Sequence, residues 1–251
     1  MTLDRSLAPA PGPLRAFDFP PVARHALDTG LPVEVVRVPH LPLVSAVLVL
    51  PAGEAVLSGD RGGQAVLAGD ALEGGTELRS GVELAEALEK IGADLDVSTG
   101  WNATVVSLSC LADRFEEGSS LLGEMVLRPA FPEAEVGRMR DQQRARIRQR
   151  MMDPGALAAD HSARFIYADG EPYGRNLLGS EESVEAATPA TLRGLAETLY
   201  RPGGSGLVVA GDVDAGAALE VARSVFGEWT GTSPERVDPA GESRSRERRI
   251  Q

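Results

Sequence analysis

A single cysteine, Cys110, stands among 251 residues, so neither an intrachain disulfide nor a multi-cysteine zinc site can form. Its apolar neighbours Val105, Val106, Leu108 and Leu111 predict a buried thiol acting as a small hydrophobe. A catalytic thiol would need a histidine base close by. Histidine is almost as scarce: His25, His40 and His161 lie far apart with no metal-ligand spacing, and they read as surface or capping residues. Long hydrophobic runs are missing too. The longest apolar stretch, Leu41–Ala52, contains Ser45 and two prolines and is too short to span a bilayer. The N-terminus carries Asp4, Arg5 and several prolines but no apolar signal core, so the cytoplasm is the expected location. Positive charge is in deficit: 25 Lys and Arg against 37 Asp and Glu give a net charge of −12, which argues against nucleic acid and anionic membranes as partners. No phosphate loop is present, because Gly59–Gly63 is not followed by Lys-Ser/Thr. Ser58, Ser98, Ser107 and Ser109 lack the elbow motif of a serine hydrolase.

What remains is an ordinary globular composition, 43% hydrophobic and 25% charged, long enough for one large domain or two small ones. Lys90 is the only lysine, and with the excess of alanine and glycine this composition points to a GC-rich bacterial genome. Valines 33, 35, 36 and 38 mark a strand over Pro32–Val38. Leu43–Leu50, apolar but for Ser45, reads as a buried strand, and the two are placed to pair across Pro39–Pro42. A Gly-rich turn leads into a helix over Gln64–Glu73, ended by Gly74 and Gly75. Ser80 with Glu83 forms a capping box for a helix over Gly81–Ile91, with Leu84, Leu88 and Ile91 on one face. Asp94–Thr99 and Ala103–Leu111 read as a hairpin turning at Gly100, Trp101 and Asn102. Asp113 is placed to cap a helix to Leu127. Helices over Glu133–Met152, from Pro154 to Tyr167, from Pro189 to Tyr200 and over Ala215–Phe226 follow, with a buried strand over Gly206–Val213. Asp212 and Asp214 are placed to cap the last helix. The order predicts an α+β fold: a mostly antiparallel mixed sheet with helices packed on one face. Arg138, Arg140, Arg144, Arg146, Arg148 and Arg150 put a basic helix in an acidic protein. They read as a solvated face laced with ion pairs, or as a contact surface for an acidic partner.

Several landmarks occur in a telling order. Leu27-Asp28-Thr29-Gly30-Leu31-Pro32-Val33, Gly75-Thr76, Ile91-Gly92-Ala93, Arg128-Pro129-Ala130-Phe131-Pro132, Pro172-Tyr173-Gly174-Arg175 with Gly179-Ser180-Glu181-Glu182-Ser183, then Tyr200-Arg201-Pro202 and Gly211-Asp212-Val213 follow one another along the chain. Jointly they resemble the insulinase/pitrilysin-type, mitochondrial-processing-peptidase-like zinc peptidases, peptidase family M16. The resemblance implies an insulinase / LuxS-like metallohydrolase-type domain over residues 21–229. A flexible arm is expected at 1–20 and a linker or tail at 230–251. The second such domain usual in the family is expected to be absent.

The resemblance also implies a lost site. Active members carry H-x-x-E-H on the first core helix; here those positions hold Val66, Leu67, Ala68, Gly69 and Asp70. Zinc in a peptidase takes three protein ligands. The downstream glutamate ligand falls on Arg146 or Ala145, counted back from Asp153-Pro154. Around the hairpin, Asp96 and Asn102 stand where the family favours Asn and Glu. No zinc is expected. The implied function is a non-catalytic subunit that pairs with a catalytic insulinase-family peptidase subunit to form a peptide-processing chamber. Alternatives are a zinc metallopeptidase with a rebuilt site, or a structural assembly subunit. By the same resemblance, Asp94, Leu95, Asp96, Val97, Ser98 and Thr99 offer an edge for a substrate peptide, or else form an ordinary strand inside the sheet.

Overall fold

The computed structural model describes residue 12, residues 18–167 and residues 170–232. Most of the arm expected at 1–20 and of the tail expected at 230–251 therefore lies outside the described residues. Among the described residues six strands make one sheet: β1 (Val22–Ala26), β2 (Pro32–Arg37), β3 (Leu43–Leu50), β4 (Asp94–Thr99), β5 (Thr104–Leu111) and β6 (Gly206–Gly211). Their spatial order is β1-β2-β6-β3-β5-β4. All pairings are antiparallel except β2 with β6, where Val33 lies opposite Leu207. The mixed, mostly antiparallel sheet of the sequence reading is what forms.

The expected pairing of β2 with β3 does not form. β6 is inserted between them, with Val44 opposite Gly211. A left-handed Gly211 (φ 142°) permits that insertion, since a Cβ there would lie 2.2 Å from the Leu43 carbonyl oxygen. β3 and β6 were also expected to be buried on both faces. Instead they alternate. Val44, Ala46, Leu48 and Leu50 are buried, while Leu43 and Val49 are 49% and 37% exposed. A sheet with helices on one face leaves the other face to solvent.

Among the described residues there are eight α-helices: α1 (Gln64–Asp70), α2 (Gly81–Ile91), α3 (Phe115–Leu127), α4 (Glu133–Met151), α5 (Pro154–Ile166), α6 (Glu181–Glu185), α7 (Pro189–Leu199) and α8 (Ala215–Phe226). The Ser80–Glu83 capping box forms and α2 stops at left-handed Gly92 (φ 62°). Asp153, Thr188 and Asp214 cap α5, α7 and α8 by accepting backbone N–H groups. Asp113 does not cap α3: it lies in a 3-10 turn, Ala112–Arg114, and α3 begins without a side-chain cap. Helix α1 is shorter than expected, continuing as a 3-10 turn over Ala71–Gly74. One core joins Leu48, Leu67, Leu108, Leu122, Met125, Val136, Leu192 and Val209; Cys110 lies in it, 2% exposed. Among the described residues no helix is long and apolar enough to cross a membrane.

Candidate functional site

Helix α1 starts against a buried carboxylate. Glu54, 1% exposed, accepts N–H bonds from Gly63 (2.8 Å), Ala65 (2.7 Å) and Val66 (3.0 Å). It thereby satisfies the donors a helix leaves open at its N-terminus. Burial raises its pKa above the ordinary glutamate range; the backbone donors and the Arg175 charge pull the other way. The approach is close: Gly63 is left-handed (φ 84°), and a Cβ on it would meet the Leu178 carbonyl oxygen at 2.2 Å. From α4, fully buried Gln143 donates to the carbonyls of Gly63 (2.8 Å) and Leu178 (2.9 Å). Arg175 donates to the carbonyls of Glu54 and Leu57. So α1, α4 and the loop before α6 are clamped at one end.

Two of the positions singled out in the sequence, Asp70 and Arg146, meet at the C-terminal end of α1. Val66 is 5% exposed and presents only hydrocarbon. Asp70 ends α1, and Arg146 on α4 reaches it, Nη2 to Oδ2 at 2.5 Å. Ala145 is exposed and makes no such contact. Where a metal-binding pair of helices would share a divalent ion, these two share an ion pair between the Arg146 guanidinium and the Asp70 carboxylate. At Gly69 there is no room for a proton-carrying side chain: a Cβ would lie 2.2 Å from Thr99 Oγ1 and 3.6 Å from Val97 Cγ1. Thr99 is held there by bonding with Thr104 Oγ1 (2.9 Å), which itself donates to the Ala52 carbonyl (2.9 Å). Nearby, partial desolvation and then the charges of Asp70 and Asp96 raise the pKa of Glu73. Zinc needs three ligands of the right kind and an open fourth position; this set does not fit it. Among the described residues no group of three or more His, Cys, Asp or Glu is placed to hold a metal.

β4 lies at the end of the sheet, and among the described residues it pairs only with β5. Asp94, Asp96 and Ser98 are exposed; Leu95, Val97 and Thr99 are half-buried. The hairpin tip after β4 is tied down. The Tyr173 hydroxyl donates to Asn102 Oδ1 at 2.7 Å, and the rings of Trp101 and Tyr167 lie 5.7 and 5.5 Å from that of Tyr173.

The six arginines of α4 are mostly spoken for. Arg138 pairs with Glu135, Arg148 with Glu181 and Arg150 with Asp160. Arg144 faces Asp141, Glu181 and Glu185, and Arg140 donates to the Ala187 carbonyl. The ion-pair reading of this helix holds, and the pairs bind α6 to it. Glu54 and Gln143 escaped the sequence reading. A cap supplied from nine residues upstream of Gly63, and an amide reaching across helices, leave no local pattern.

The insulinase family model, peptidase family M16, matches residues 40–180. An uncharacterized zinc protease of Mycobacterium leprae is 29% identical over 212 residues, covering 82% of this chain and 46% of that protein. A peptidase M16 inactive domain from Pseudomonas fluorescens superimposes with a TM-score of 0.82 at 25% identity, covering 87% of this chain and 53% of that one. The first half of the periplasmic protease PqqL from Escherichia coli gives a TM-score of 0.79 at 21% identity, covering 87% and 48%. The chain spans about half the length of the curated relatives it matches.

Proposed function

This chain belongs to the insulinase family, peptidase family M16, and on that premise we propose that it is a non-catalytic member. It pairs with a catalytic zinc peptidase subunit of the same family, in the cytoplasm, and completes a chamber that binds and processes peptides. Residues 21–229 form the family domain in this reading. One observation supports it: Asp70 and Arg146, which the resemblance aligns with zinc ligands, form an ion pair with each other, while Thr99 fills the space beside Gly69. The free edge of β4, Asp94–Thr99, is its peptide-binding element, because backbone pairing requires no catalytic side chain.

The zinc-protease name of the Mycobacterium leprae relative favours a second reading, a metallopeptidase with a site rebuilt from other residues. Two measurements separate the readings. Affinity purification of the chain from its own cells is expected to recover, near stoichiometry, a peptidase carrying H-x-x-E-H; its absence removes the pairing. Metal analysis of the purified chain is expected to find no stoichiometric zinc. Zinc at one per chain, with peptide cleavage abolished by a chelator, would establish the second reading.

A further inference from the structure

Helices α3, α7 and α8 end around one cavity of about 650 Å³, which falls in the size range of small-molecule sites. Four guanidinium side chains line it. Arg128 directly follows α3, Arg193 lies on α7, Arg201 lies just past α7, and Arg223 is in the last turn of α8. Cations at helix C-termini have a plain use, since the last carbonyls there carry partial negative charge. Only Arg201 is so used, donating to the Glu197 carbonyl of α7. Arg193 donates to the Ala130 carbonyl at 2.9 Å. Among the described residues the side chains of Arg128 and Arg223 have no hydrogen-bond partner, and none of the four arginines forms an ion pair. The contrast with α4 is direct, because there every arginine but Arg140 holds a carboxylate. Acceptors are not lacking: Glu77, Glu197 and Glu228 line the same cavity, also without an ion pair. A guanidinium has five N–H donors and a carboxylate accepts at two oxygens, so the cavity presents unused donors and unused acceptors together.

The walls are built beforehand. Arg201 also donates to the Thr230 carbonyl. Its stem runs beside left-handed Gly231 (φ 107°), where a Cβ would meet Arg201 Cδ at 2.9 Å. Trp229, 7% exposed, packs on Phe226 and donates its indole N–H to the Tyr200 carbonyl at 3.2 Å. Side chains fixed in this way lose little further freedom when a ligand arrives.

We propose that this cavity binds a small phosphorylated molecule, the arginines taking its phosphoryl oxygens and the glutamates its hydroxyl groups. A phosphoryl group has three acceptor oxygens, so more than one guanidinium can share it, and each fork can bind two oxygens at once. A bare phosphate would leave the glutamates facing negative charge. A phosphorylated polyol offers each set of side chains its complement. No residue of α1, α4 or β4 lines the cavity, so its ligand is independent of pairing with a peptidase.

The test is isothermal titration of the full chain, with a chelator present, using fructose 1,6-bisphosphate and inorganic pyrophosphate as probes. One bisphosphate per chain is expected to bind, more tightly than pyrophosphate, and to raise the thermal unfolding midpoint. Arg128→Ser with Arg223→Ser is expected to weaken it about tenfold or more, the scale of a lost hydrogen bond to a charged group. The midpoint without ligand is expected to stay unchanged in that variant, since neither side chain has an internal partner. Glu197→Gln is expected to tighten pyrophosphate while weakening the bisphosphate, opposite signs that misfolding cannot imitate. Failure of both probes to saturate the chain overturns the site. Undiminished binding in the double arginine variant overturns it too, by placing the ligand elsewhere. Equal affinity for the two probes overturns the role given to the glutamates. An oligoglutamate peptide that binds more tightly than the bisphosphate and displaces it overturns the proposal in favour of an acidic polypeptide.

Discussion

Gly69→Ala is expected to lower stability, although alanine is the better helix former. In an open helix the substitution would gain about 1 kcal/mol. Here the new Cβ would arrive 2.2 Å from Thr99 Oγ1. Either Thr99 rotates and abandons Thr104 Oγ1, or α1 lifts from β4. Overpacking of this kind costs about 1–3 kcal/mol, so the net effect is a loss of about 1 kcal/mol. The partner in the clash is one named oxygen, so the loss can be traced. In a Thr99→Ala background the nearest remaining atom is the Cβ of residue 99 at 3.4 Å, and Gly69→Ala should there become neutral or stabilising, a coupling of about 1–2 kcal/mol. Urea unfolding followed by far-ultraviolet circular dichroism, on the wild type, both single variants and the double variant, measures it. If Gly69→Ala raises the midpoint equally with and without Thr99, α1 stands clear of β4. Room for a catalytic carboxylate would then remain, and the steric half of the case against peptidase activity would fail.

Three further outcomes are expected. Arg146→Ala should cost only about 0.5–1 kcal/mol, because Arg146 is 47% and Asp70 25% exposed; Arg146→Glu should cost more, and both differences should shrink in high salt when urea midpoints are compared. The folded Glu54 carboxyl titrates above its unfolded value, so the folded state holds its proton to higher pH than the unfolded chain does. Stability owed to this group is therefore full on the acid side and falls as pH rises through the folded value; Glu54→Gln should remove that slope from the pH dependence of unfolding, and Glu54→Ala, stranding three backbone donors, should cost about 3 kcal/mol or more. The Cys110 thiol is pushed up to about 11 by burial and then by the charge of Asp113, so thiol reagents at neutral pH should label it slowly in the native protein and rapidly in urea.

The elements written in local chemistry were legible beforehand. The Ser80–Glu83 box, the β4–β5 hairpin and the Pro-led starts of α5 and α7 all depend on residues within a few positions of one another. The residues at the helix motif, Val66, Gly69 and Asp70, could be named at once because that part of the pattern is contiguous. Three things were not. Strand β1 is exposed at four of its five residues and shows no apolar alternation; it owes its existence to pairing with β2. The place of β6 between β2 and β3 is a contact across more than 150 residues, invisible to any window. The meeting of Asp70 with Arg146 could be suspected from alignment, yet whether Arg146 or Ala145 faces α1 was decided by the phase of a 19-residue helix, which a count of residues does not fix to within one position.

The central position of β6 sets a timetable for the nascent chain. Emerging from the ribosome in order, β1–β2 and the β3–β5–β4 block each assemble with one inner margin bare, and the strand that zips them together is the last of the six to leave the exit tunnel. Until residue 211 is free, two inner margins stand unpaired in solvent. Fragments ending before Gly206 should therefore clump instead of refolding, and chaperone dependence should vanish abruptly, not gradually, once that hexapeptide is supplied.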